Sequence, residues 1–165
     1  MEGEKFTNTS MSIKALLGLI EANSIAIPEI QRPFVWKRAQ VRDLMDSLYK
    51  GYPTGYIILW KNPDVKLKDG QMSAGKKIVI DGQQRITAMI TAIAGRVVLD
   101  SEFNETQIKI AFNPFAALDY ERNGNEEAEI FAVSTPAHSK SKNWIPDISK
   151  IFDTSFCSWT FIPQY

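Results

Sequence analysis

Asp81-Gly82-Gln83-Gln84-Arg85 puts a carboxylate, two carboxamides and a guanidinium in five positions around one glycine. The apolar run Ile78-Val79-Ile80 precedes it, and a helical pattern follows at once through Ile86, Met89, Ile90 and Ile93 to Gly95. This is a strand–turn–helix, and its chemistry is anion binding. The first turn of a helix carries backbone N–H groups with no intrahelical partner, and the macrodipole adds partial positive charge. Gly82 removes the Cβ that would hold a phosphate away from the backbone. Arg85 leans toward the helix N-terminus with a planar fork suited to phosphate oxygens. Gln83 and Gln84 are able to donate to a phosphate or a ribose, or to position a water. The bland alternative is an Asp81 helix cap with solvated neighbours. The Gly-rich spacings of P-loops and dinucleotide-binding turns are absent.

A second Gln-Arg pair stands at Gln31-Arg32, in Ile27-Pro28-Glu29-Ile30-Gln31-Arg32-Pro33-Phe34-Val35-Trp36. Pro33 biases Arg32 toward extended backbone and narrows the directions of its side chain. Two arginines converging on one anion suit a di- or triphosphate. The competing reading pairs Arg32 with Glu29 or Asp43. Phe34 and Trp36 offer flat faces for a base, or serve the core.

Three amphipathic helices must position these groups. The first runs through Ile13, Leu16, Leu17 and Ile20, with Thr9, Ser10 or Ser12 as N-cap. The second runs through Val41, Leu44, Met45 and Leu48, ends at Gly51 and Pro53, and sets Asp46 against Lys50 in the favourable i,i+4 order. The third follows Gly82. Strands are expected at Ile25–Ile27, Tyr56–Trp60, Ile78–Ile80, Val97–Leu99, Ile108–Phe112 and Ile130–Val133. Tyr56–Trp60, continuously apolar, reads as central and covered on both faces. Residues 61–76 and 134–143 read as polar loops, and Asn123-Gly124-Asn125 as a turn. The expected fold class is α+β, a mixed sheet with amphipathic helices and a strand-rich C-terminal half.

The chain has 165 residues and zero formal net charge. That length suits one domain, and the charge excludes a whole-surface affinity for nucleic acid. One cysteine, Cys157, and one histidine, His138, rule out a Cys/His zinc cluster and an intramolecular disulfide. The start is acidic and Ile13–Ile20 contains Lys14, so neither a signal peptide nor a membrane span is expected, and the location is taken as cytoplasmic. Phe152, Phe156, Trp159, Phe161 and Ile162 crowd the end. Either this apolar tail folds back, or the chain is part of a longer protein whose partner surface it meets.

Ile-Pro-x-x-Gln-Arg-x-x-x-Trp (Ile27 to Trp36), Tyr-Pro-x-Gly-x-Ile-x-Leu-Trp (Tyr52 to Trp60), Ile-Asp-Gly-Gln-Gln-Arg (Ile80 to Arg85) and Trp144-Ile145-Pro146-Asp147-Ile148 occur in order. Together they resemble the N-terminal domain of GmrSD-type restriction enzymes, over about Ser12 to Phe152. The resemblance implies a ParB/sulfiredoxin-like fold and the N-terminal piece of a longer antiphage protein that senses modified DNA. It implies nucleotide binding and hydrolysis of a nucleoside triphosphate, ATP or GTP, with Mg²⁺. Asp81, Gly82, Gln83, Gln84 and Arg85 would form the nucleotide site, with Asp81, Gln84 and Arg85 acting in catalysis and Gln31 and Arg32 as a second wall. A His-Asn-His nuclease would sit in a C-terminal domain or partner subunit, because this chain has only His138. Sulfiredoxin redox chemistry is not expected, since Gln83 and Gln84 stand where its cysteine would be. The alternative is a non-catalytic DNA- or partner-binding module using Lys37, Arg38, Arg42, Lys76, Lys77, Lys140 and Lys142. DNA cleavage by this domain is the least supported, for want of an acidic metal cluster.

Overall fold

The computed structural model describes residues 6–27, 33–61 and 75–153. The expected Gln31–Arg32 wall, most of the 61–76 loop and the apolar tail beyond Asp153 lie outside the described residues.

All three expected helices form where the apolar periodicity puts them. α1 is Ile13–Glu21, and Ser12 is its cap, its Oγ accepting from Ala15 N at 3.2 Å. α2 is Arg38–Tyr49, and the Asp46–Lys50 ion pair closes at 3.0 Å. Gln40 Oε1 accepts from Lys37 N at 2.8 Å at its start. α3 is Gln83–Ala92, one residue after Gly82.

β1 (Ile25–Ala26), β2 (Ile58–Lys61) and β3 (Lys77–Asp81) form a three-stranded sheet in the order β1-β3-β2. It is mixed: β1 runs parallel to β3, with Ile25 opposite Lys77, and β2 runs antiparallel to it. The register slips between Ile58 and Leu59. Among the described residues β2 is therefore an edge strand, which corrects its expected central place. Ile58 and Trp60 are each 49% exposed. The reason is size: a three-stranded sheet has one central position, and β3 fills it. Leu59 and Val79 face the core with Ile25, and the other face carries Ile58, Trp60 and Ile80.

After α3 come two short ladders, β4 (Val98–Leu99) with β5 (Glu105–Thr106), and β6 (Ile110–Phe112) with β7 (Phe131–Val133). Between β6 and β7 runs α4 (Pro114–Asn123), which periodicity does not announce. Its ends are legible: Asn113 caps it through Phe115 N and Ala116 N, Pro114 opens it, and Gly124, at φ +67°, closes it. α4 is as long as β4 to β7 combined, so this half is not strand-rich in the way expected. The expected 134–143 loop contains α5 (Pro136–Lys140), and α6 (Ser149–Phe152) comes after it.

One core cluster runs from Leu16 to Ile148 and takes in Val41, Leu44 and Met45 of α2 and Ile86, Ala88, Met89 and Ala92 of α3. Buried Thr91 ties α3 to the later ladders, its Oγ1 accepting from Ile108 N at 2.8 Å. Among the described residues no helix is long and apolar enough to cross a membrane.

Candidate functional site

β3 delivers Asp81 to the end of the central strand, and the chain then turns through Gly82 at φ +94° into α3. A Cβ at Gly82 would fall 2.9 Å from Ile57 Cγ1 and 3.3 Å from Ile57 Cα. Only glycine fits, on both backbone and spatial grounds. Among the described residues no side chain caps α3, so the alternative reading of Asp81 as a helix cap does not hold.

Asp81 instead meets Arg85, Oδ2 to Nη2 at 3.2 Å. Arg85 Nη2 also donates to the Tyr56 carbonyl at 2.8 Å, and Nη1 donates to the Thr54 carbonyl. Three of its five N–H groups are thus engaged with the 54–56 loop and Asp81. Its guanidinium charge stands at the mouth of α3 and is partly offset by Asp81.

Gln84 makes a second clamp. Its Oε1 accepts from Val35 N at 3.0 Å, and its Nε2 donates to the Pro33 carbonyl at 2.9 Å. Both ends of the amide hold the backbone that leaves the Gln31–Arg32 segment. Gln83 is only 8% exposed and points its surface to the same cleft.

That cleft has a volume of about 960 Å³. Asp81, Gly82, Gln83, Gln84 and Arg85 form one wall, as their spacing suggested. Trp36, Pro53 and Thr54 also line the cleft. The other lining is a stripe of α2, Gln40, Asp43, Leu44 and Ser47, which its sequence did not mark as part of a site. Its signal was available, since positions 40, 43, 44 and 47 repeat at i, i+3, i+4 and i+7. Phe34 is a core residue, 5% exposed, so base stacking does not fall to it, whereas Trp36 borders the cleft. Asp43 pairs with Arg42 at 2.6 Å. Among the described residues no cluster of three or more His, Cys, Asp or Glu side chains could hold a metal by itself.

Gly55, the glycine of the Tyr52–Trp60 motif, has a role that the motif alone did not reveal. Its φ is +84°, and a Cβ there would run into Arg85 Nη1. The missing side chain is the gap through which Arg85 reaches the Thr54 carbonyl.

The family model for the GmrSD restriction endonuclease N-terminal domain matches residues 13–158. An uncharacterised protein of Methanocaldococcus jannaschii is 27% identical over 106 residues, which is 51% of this chain and 17% of that protein. The match thus spans about a sixth of the relative's length. No solved structure matches.

Proposed function

This chain belongs to the family of GmrSD restriction endonuclease N-terminal domains, and from that premise we propose that it is the nucleotide-responsive domain of a restriction or antiphage protein. Its cleft would bind a nucleoside triphosphate, ATP or GTP, and hydrolyse it. The observation that carries the reading is the cleft of about 960 Å³ beside Asp81–Arg85. It lies in the size range of small-molecule sites and joins a helix N-terminus to a guanidinium.

The phosphates would lie over Gly82 and the first turn of α3, with Arg85 contributing charge. Arg32 would join from the second wall. Phosphoryl transfer needs positioning and charge stabilisation more than a covalent nucleophile. Mg²⁺ fits this donor set only in the manner usual for it, by one or two carboxylates plus substrate phosphates, and Asp81 is the carboxylate for that role. The metal would neutralise phosphate charge. Gln83, on the cleft surface, is suited to orient a water. Gln84, with both amide ends on the Pro33–Val35 backbone, would act in catalysis by holding that wall. The sheet β1-β3-β2 followed by α3 supports a reduced ParB/sulfiredoxin-like arrangement. A nuclease in a C-terminal domain or partner subunit, acting on modified DNA, would be what the domain controls. Against a DNA-binding module, Arg42 of its proposed cations is paired with Asp43 of its own helix.

The test is a thermal-shift scan with each nucleoside triphosphate, with and without Mg²⁺, on the native chain and on Arg85→Ala and Arg85→Lys. A true ligand raises stability by about 2.7 kcal/mol at a hundredfold excess over Kd. The shift is expected with the native chain, reduced in Arg85→Lys and lost in Arg85→Ala. A full shift in Arg85→Ala would overturn the site. Salt-dependent DNA binding with no nucleotide shift would favour the module.

A further inference from the structure

The two walls of the cleft differ in chemistry. The α3 wall presents a helix N-terminus with its backbone N–H groups, and Arg85 paired with Asp81. The α2 wall presents the Asp43 carboxylate, the Ser47 hydroxyl, the Gln40 amide and apolar Leu44, with the Trp36 ring beside them. Each wall carries an arginine-paired aspartate, but only the α3 wall adds the backbone N–H groups of a helix N-terminus, so the anionic end of a ligand is drawn to α3 and away from α2. What remains of a nucleotide is a flat base and a ribose rich in hydroxyls. Resting on the nucleotide reading of this cleft, we infer that the α2 wall is the nucleoside subsite, with Trp36 against the base and Asp43 and Ser47 on the ribose hydroxyls. The ligand is then a ribonucleotide in preference to its deoxy form.

Four features support that assignment. Asp43 and Ser47 stand i,i+4 on one helical face, so they meet one small group together. Arg42 Nε holds Asp43 Oδ1 at 2.6 Å, which orients the carboxylate. Trp36 is half-buried against the core, so its ring is held by packing and offers a fixed plane. Leu44 lies between the polar groups as an apolar floor, buried on its other side with Val41 and Met45.

The experiment is calorimetric titration of the full chain with a nucleoside triphosphate, its 2′-deoxy form and inorganic tripolyphosphate, all with Mg²⁺, repeated on Asp43→Asn and Ser47→Ala. Far-UV circular dichroism checks that α2 is intact. The native chain is expected to prefer the ribonucleotide over the deoxynucleotide by about tenfold, the scale of one charge-assisted hydrogen bond. Asp43→Asn should erase most of that preference and leave tripolyphosphate affinity unchanged. Equal binding of tripolyphosphate and nucleotide by the native chain would overturn the nucleoside subsite while leaving the phosphate site standing. Loss of tripolyphosphate binding in Asp43→Asn would also overturn it, by putting Asp43 on the phosphate side. If the native chain binds none of the three, this inference and the nucleotide reading fall together.

Discussion

Arg85 reaches the Thr54 carbonyl only because residue 55 has no side chain. The same logic holds at Gly82, where Ile57 closes the space a Cβ would need. Two glycines and two clamping side chains, Gln84 and Arg85, thus join the first turn of α3 to two separate loops. Neighbouring positions of one motif hold Pro33–Val35 on one side and Thr54–Tyr56 on the other. Gly55→Ala meets both a positive φ and the Arg85 head. It is expected to cost about 1–3 kcal/mol, seen as a lower denaturant midpoint, and to weaken nucleotide binding along with it. Retention of full affinity in that variant would mean that the loop clamp is irrelevant to the site.

At the scale of elements, α2 does three things with three faces. Val41, Leu44 and Met45 enter the core, Gln40, Asp43 and Ser47 face the cleft, and its C-terminal end is tied to α4 and to the turn beyond Gly124. Tyr49 donates to Glu121 at 3.0 Å, and Tyr52 donates to Glu126 at 2.7 Å. Burial, then the bond to Glu121, raises the Tyr49 pKa. The bond to Glu126 is the main cause that pushes Tyr52 up to about 12. A raised tyrosine pKa favours the neutral, hydrogen-bonding form. The tie is therefore complete below pH 10, the ordinary tyrosine value, and lost as pH rises toward about 12. A tyrosinate absorbance titration should find one group ionising near the upper value, and Glu126→Gln should bring it down. No change on Glu126→Gln would remove the hydrogen bond as the cause. α4 itself was missed because its apolar residues, Phe115, Ala116, Ala117 and Leu118, crowd together without a clear stripe. Its cap, proline and glycine were all in plain sight.

For the whole molecule, one core cluster from Leu16 to Ile148 backs the site. Ile86, fully buried on α3, joins that core to the turn that carries Asp81–Arg85. Ile86→Ala should cost about 2–5 kcal/mol. Tryptophan fluorescence and far-UV circular dichroism should follow a single shared transition on denaturation; separate transitions would divide the core. The sequence by itself determined the three amphipathic helices, the β3–Gly82–α3 turn and the motif's place on the cleft wall. These are local matters, decided by periodicity, caps and backbone freedom over a few residues. Only the tertiary structure decided that β2 is an exposed edge and that Phe34 is core while Trp36 borders the cleft. It also set Gln84 and Arg85 on loops 51 and 31 residues away. It alone brought α2 across from α3 to complete the cleft. Each of these depends on which elements become neighbours, and neighbours distant along the chain leave no period in it.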